Sequence, residues 1–191
     1  MAPGLIEDPV LKQRYRFTRE NTKSGVEILR VEFWTDPGGG VTPHVHPVAE
    51  ERFTVIEGRP SFLSGRKWSD AGPGETVVVP AGTRHAYRNR SDETVHVVCE
   101  VSPPDLLAEF LTEAAEMNQA GMLTPNAFPK SPRAALQVAV MAEHYREMVV
   151  FGFPPAPPPP VQRLLFPPLA RFARKRGYRS GQQKSPVNGV V

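Results

Sequence analysis

Apolar and polar positions alternate with a period of two in short runs between residues 26 and 101. Val26 to Trp34 (VEILRVEFW) is rich in β-branched and aromatic residues and reads as a strand. Thr94 to Val101 (TVHVVCEV) places Val95, Val97, Cys99 and Val101 on one face and Thr94, His96, Val98 and Glu100 on the other. Thr76 to Val79 is a β-branched run, and Ser61 to Gly65 with Lys67-Trp68 reads as two short strands joined by a turn. Arg14 to Arg19 (RYRFTR) can add an edge strand beyond a polar turn at Asn21 to Gly25. Short strands with frequent turn signals are what a closed or sandwich-like β-architecture produces.

The period changes at Ser102. Ser102-Pro103-Pro104-Asp105 reads as a capping-box start with Pro at the first helical position. Leu106, Leu107, Phe110, Leu111 and Ala114 then share a face at helical spacing, and Gly121 is a stop. Ser131-Pro132 repeats the start, and Val138, Met141, Tyr145 and Met148 form a second stripe. Two helices are expected, packed on the β-body or on a partner subunit, with both stripes serving as core.

Composition changes this picture mainly at the C-terminal end. The 22 prolines concentrate in FPPAPPPP at 153–160, a stretch incompatible with a helix or a central strand and suited to a stiff polyproline spacer. Beyond it, Val161 to Tyr178 interleaves Leu, Phe and Arg. It packs its apolar residues on the body, with lying on an anionic membrane surface and, behind that, nucleic-acid contact as the alternatives. Residues 1–147 hold 16 Lys/Arg and all 20 Asp/Glu, whereas 148–191 hold seven Lys/Arg and no acid. The high pI therefore belongs to the tail, and no nucleic-acid surface is expected. One cysteine, Cys99, excludes an internal disulfide and is expected as a small buried hydrophobe. With no apolar leader and no run of ~18 apolar residues, the chain is expected to be soluble and cytoplasmic.

Candidate chemistry sits in two stretches. Gly38 to Gly58 places His44, His46 and Glu51 within eight residues, and Gly74 to Asn89 supplies His85. Three imidazoles and a carboxylate suit a divalent first-row transition metal, with Fe, Mn, Ni, Cu and Zn all open. In a strand His44 and His46 point the same way. Glu51 lies an odd number of residues from His46, so a turn around Pro47 to Ala49 is needed before Glu51, Phe53 and Val55 share the inward face of the next strand. His85, Tyr87 and Asn89 alternate along another strand, which puts Tyr87 and Phe53 inward beside the ligands. Tyr87 is a pocket wall or a substrate-orienting, acid-base (catalytic) group. His96 and His144 are expected to face outward. The three glycines Gly38 to Gly40 permit a close backbone approach, although an ordinary loop is the simpler reading.

The two stretches read G-x5-H-x-H-x4-E-x6-G (Gly38, His44, His46, Glu51, Gly58) and G-x5-P-x-G-x2-H-x3-N (Gly74, Pro80, Gly82, His85, Asn89). They resemble the two signature motifs of the cupin superfamily, in order and without departure. The resemblance covers roughly residues 25–103. It implies a mainly β fold, a double-stranded β-helix (jelly-roll) barrel followed by C-terminal helices, with His44, His46, Glu51 and His85 on one metal. The organisation expected is an N-terminal arm at 1–24, the barrel at 25–103, a helical extension at 104–152, the spacer and basic segment at 153–179, and a disordered tail at 180–191. Small proteins of this kind include quercetin-dioxygenase-like enzymes, so the resemblance implies a metal-dependent enzyme acting on a small organic molecule, foremost by dioxygenase-type oxidation. A redox-neutral isomerase, cyclase or decarboxylase, or a non-catalytic binding module, stays open. It also implies a homodimer.

Overall fold

The computed structural model describes residues 4–104, 106–152 and 156–181. Its strands are β1 (Ile6–Asp8), β2 (Gln13–Asn21), β3 (Glu27–Thr35), β4 (Gly40–Val45), β5 (Glu50–Glu57), β6 (Ser61–Ser64), β7 (Lys67–Asp70), β8 (Thr76–Val79), β9 (His85–Arg88), β10 (Val95–Ser102) and β11 (Val150–Phe151). The helices are α1 (Leu107–Gln119), α2 (Pro132–His144) and α3 (Pro159–Lys175). Six strands form one sheet in the order β1-β2-β3-β10-β5-β8, and five form the other in the order β11-β4-β9-β6-β7. The pairings are antiparallel throughout. The two sheets face each other as a jelly-roll barrel, the fold the motifs imply.

Alternation decides what the barrel encloses. Val95, Val97, Cys99 and Val101 of β10 are buried, as are Leu29, Val31 and Phe33 of β3 and Phe53 and Val55 of β5. An aromatic layer crosses the interior: Phe33 meets Tyr87 edge-on at 5.3 Å between centroids, and Phe62 lies 5.3 Å from Phe53 and 5.4 Å from Tyr87. Such pairs add to the area they bury. The helices cover one end of this core, because Leu107, Ala108, Met117, Met141, Tyr145 and Met148 join the same cluster.

Several segments differ from the sequence expectation. The N-terminal arm carries the strand expected at Arg14 to Arg19 but in a longer form: β2 pairs with β3 from Gln13↔Thr35 to Asn21↔Glu27 and buries Tyr15 and Phe17. The first helix does not begin at a Ser102 cap. Ser102 ends β10, Asp105 lies outside the described residues, and the N-cap position falls to Leu106. The second helix starts as expected, with the Ser131 hydroxyl accepting from the Ala134 N–H and Pro132 in the first turn. The basic segment is a third helix. It takes in Pro159 and Pro160 from the stretch expected to exclude helix, because first-turn residues need no intrahelical N–H partner. The tail expected to be disordered lies outside the described residues beyond Gly181. The glycine loop makes a close approach after all: a Cβ at Gly40 would collide with the Tyr87 carbonyl oxygen, and one at Gly39 with that of Leu11. No helix among the described residues is long and apolar enough to cross a membrane.

Candidate metal centre

The structure brings His44, His46, Glu51 and His85 together, with one ligand atom from each lying within 4.8 Å of all the others. Local sequence explains the convergence. β4 carries Pro43, which cannot donate to a ladder, and the β4–β9 register slips between Val41 and His44. Residues 46–49 then turn the chain, so that Glu51 enters β5 on the inward face with Phe53 and Val55. His44 pairs directly across from His85. The turn is held to the second motif by the Gly82 N–H, which donates to the His46 carbonyl at 2.8 Å. Asn89, the last residue of that motif, has a structural role: its Nδ2 donates to the carbonyls of Thr35 and Glu93, and its Oδ1 accepts from the Ser91 N–H.

Each imidazole is oriented from behind by a backbone carbonyl. His44 Nδ1 lies 2.9 Å from the Thr42 oxygen, His85 Nδ1 2.9 Å from the Thr83 oxygen, and His46 Nδ1 2.8 Å from the Met148 oxygen. A carbonyl can only accept, so every Nδ1 carries its proton and every Nε2 is the nitrogen left for the site. His46 Nε2 is buried without a hydrogen-bond partner, and His85 Nε2 and Glu51 Oε2 are buried facing each other at 2.7 Å with no other partner. Buried polar atoms are ordinarily satisfied. Lone pairs of three imidazoles and a carboxylate aimed at one buried point form a donor set that could hold a cation.

The electrostatics fit. Burial would raise the Glu51 carboxyl, but contact with His85 and the neighbouring imidazoles outweigh it and hold the group at about 2. Glu51 Oε2 lies 2.7 Å from His85 Nε2, and Oε1 lies 3.5 Å from His46 Nε2. Burial would lower His85, and the adjacent Glu51 carboxylate raises it instead. Burial, followed by the His85 and His46 rings, pushes His44 well down, so His44 is a neutral donor. Cys99 sits beneath the carboxylate, Sγ at 4.0 Å from Oε1, and burial followed by the Glu51 charge keeps it a thiol. This is the small buried residue expected from the sequence.

The centre opens on an apolar cavity of about 400 Å³. Barrel residues Phe33, Phe53 and Tyr87 line one part; Phe110 and Met141 of the helices, Phe151, and Phe166 of α3 line the rest. Tyr87 is on the wall, two residues along β9 from His85, with its hydroxyl buried and, apart from the neighbouring Thr35 side chain, unpartnered. Burial raises its pKa well above the ordinary phenol value. Asn118 also lines the cavity with a buried, unpartnered Oδ1, while its Nδ2 donates to Asp8 at 2.8 Å. His96 lies outside the cluster, stacked on Trp34 at 4.6 Å and bonded to Glu32, and His144 is exposed. Sequence reasoning missed Met148 and Asn118. Met148 acts through its backbone carbonyl, which no side-chain pattern signals, and Asn118 is one of several polar residues at the end of a helix, with no motif around it.

Comparison with known proteins agrees with this picture. Residues 32–101 match the family model described as a cupin domain. Polyketide synthase CurC of Streptomyces cyaneus is 34% identical over 83 residues, covering 41% of this chain and 47% of that protein, so the chain spans about half the length of that curated relative. A double-stranded β-helix domain protein from Klebsiella pneumoniae is similar at 25% identity and a TM-score of 0.39, over 41% of this chain and 69% of the other. The polyketide cyclase RemF from Streptomyces resistomycificus is similar at 22% identity and a TM-score of 0.39, over 47% and 64% of the two chains.

Proposed function

We propose that this chain, whose barrel residues 32–101 match the cupin-domain model, is a metal-dependent enzyme acting on a small, largely apolar molecule that bears carbonyl or phenolic oxygens. One observation carries the reading: buried donor atoms of His46, Glu51 and His85, with no partner outside the cluster, converge with His44 within 4.8 Å at the wall of an apolar cavity. His44, His46, Glu51 and His85 would hold the metal. Bound there, a divalent metal supplies a Lewis acid for a substrate oxygen and, where redox-active, an electron path to dioxygen.

The chain's own residues do the rest. Aromatic and aliphatic walls exclude water and hold a flat apolar skeleton; the cavity's size is that of a small-molecule site. Tyr87, kept protonated by burial, donates a hydrogen bond to a substrate oxygen away from the metal. It is suited to orienting the substrate and, as a phenol that holds its proton, unsuited to acting as a base. The Asn118 Oδ1 offers a complementary acceptor.

Among reaction classes, a redox-neutral conversion of a polyketide-type compound has the stronger support. The relative at 34% identity is a polyketide synthase, and an apolar cavity suits a fused or folding polyketone better than a sugar. Dioxygenase-type oxidation, which the sequence resemblance puts first, rests on the ligand set alone. The test begins with metal content of the purified protein, using His44→Ala/His46→Ala as the control. Aromatic polyketones are then offered with and without dioxygen. Near-stoichiometric metal, lost in the variant, and turnover without dioxygen are expected. No metal uptake on reconstitution overturns the enzyme reading, and turnover that consumes dioxygen replaces the redox-neutral reading with the oxidative one.

A further inference from the structure

We propose that the outer face of α3 docks on an anionic membrane surface. The helix turns its alanines and one glutamine inward: Gln162, Ala170 and Ala173 are buried, with the two alanines packed against Val140 of α2. Phe166 and Leu169 border the cavity, and the other large apolar residues point the other way. Val161, Leu164, Leu165 and Phe172 are all exposed, Leu164 at 73%. At 100° per residue, Leu164, Pro168, Val161, Phe172 and Leu165 fall within an arc of about 100°. Single exposed leucines are ordinary, but a stripe of them along one helix is not.

Charge names the occupant. Arg163, Arg171, Arg174, Lys175 and Arg176 lie on or just past the same helix and are exposed, and residues 148–191 contain no acid. Arg176 lies over the Phe172 ring at 3.6 Å, so a cation borders the stripe directly. A second copy of the chain fits poorly. In a two-fold contact the same patch meets itself, which would set this run of cations against an identical run. A groove-bound peptide fits poorly as well, because Leu164 stands proud of the surface. A bilayer with anionic headgroups meets both halves of the pattern: phosphates take the arginines, and the acyl boundary takes the leucines and Phe172.

The same helix roofs the cavity. Phe166 and Leu169 line it from inside, and Pro167 and Pro168 interrupt the backbone hydrogen bonds of that roof at mid-helix. Docking would therefore place the weakest turn of the cavity wall at the bilayer, the phase where an apolar substrate concentrates. The docking itself does not depend on the metal centre or on the reaction.

The experiment is sedimentation of the full-length protein with vesicles of phosphatidylcholine alone or mixed with phosphatidylglycerol, at low and high salt. Leu164→Ser/Phe172→Ser removes apolar anchors and leaves the charge; Arg171→Gln/Lys175→Gln does the reverse. All four side chains are exposed, and unchanged metal content and circular dichroism confirm the fold of each variant. The expected result is binding to the anionic vesicles that weakens about tenfold in either variant and is lost on neutral ones. Absence of binding to anionic vesicles, equal binding to neutral ones, or a serine variant that binds like the parent overturns the proposal. So does a dimer in solution that the serine variant dissolves.

Discussion

In β10 every second residue from Val95 to Val101 is buried between the sheets, whereas in α3 the buried residues are Gln162, Ala170 and Ala173, and Leu164, Leu165 and Phe172 face outward. Both segments alternate apolar and polar residues, yet they place them oppositely. A strand in a barrel has two faces, and one is covered by construction, so its apolar set has one place to go. A helix laid on other helices is placed by its partner's shape. Where α2 offers Val140 flanked by Leu136, alanines let the two backbones approach, and the bulkier residues are turned away.

The largest effect expected from this contrast is in the barrel. Phe62→Ala removes a fully buried ring that touches Phe53 and Tyr87, and should cost about 3–5 kcal/mol in chemical denaturation. Leu164→Ala, on the outer face of α3, should stay within ~0.5 kcal/mol. Equal losses would erase the distinction.

The barrel's interior also stores charge, and that makes its stability pH-dependent. The Glu51 carboxyl is lowered from 4.5 to about 2, so its contribution is complete above the unfolded pKa and disappears as pH falls through the folded one. His85 is raised, so its contribution is present below its ordinary pKa and is lost as pH rises through the raised value. The two describe one contact and count once. Metal-free protein should lose roughly 3 kcal/mol between pH 6 and pH 2, because each tenfold change in proton affinity is worth about 1.4 kcal/mol. Glu51→Gln should flatten that acid limb in urea melts; an unchanged limb would assign it to other carboxylates.

The smaller effect lies at the helix contact. Ala170→Leu forces a branched side chain between α3 and α2 and should cost about 1–3 kcal/mol. A neutral result would mean that the helix is held elsewhere, for instance by Gln162, whose Nε2 donates to the carbonyls of Phe151 and Pro157.

The same contrast explains what could be read from the chain alone. The strands from Glu27 to Ser102 and the gathering of His44, His46, Glu51 and His85 follow from period two, proline placement and one turn, all local properties. The turn at residues 46–49 is where the odd spacing of Glu51 demanded one. What was not legible depends on contacts distant in sequence. β2 was legible over Arg14 to Arg19, and its full nine residues follow from pairing along β3; α3 forms despite Pro167 and Pro168 because α2 supports it. The first helix begins late because Ser102 is still engaged in the ladder with Glu50.

His46 is aimed by a carbonyl 102 residues further along the chain. During translation, a ribosome that has released residues 25–103 has made all four clustered side chains and still lacks the atom that orients one of them. Phe151, which zips against His44 through β11, comes later still. The centre is therefore a late product of biosynthesis: its last part is delivered only once the helical extension has emerged and folded back, so a nascent barrel is held short of its finished donor geometry until the rest of the chain arrives.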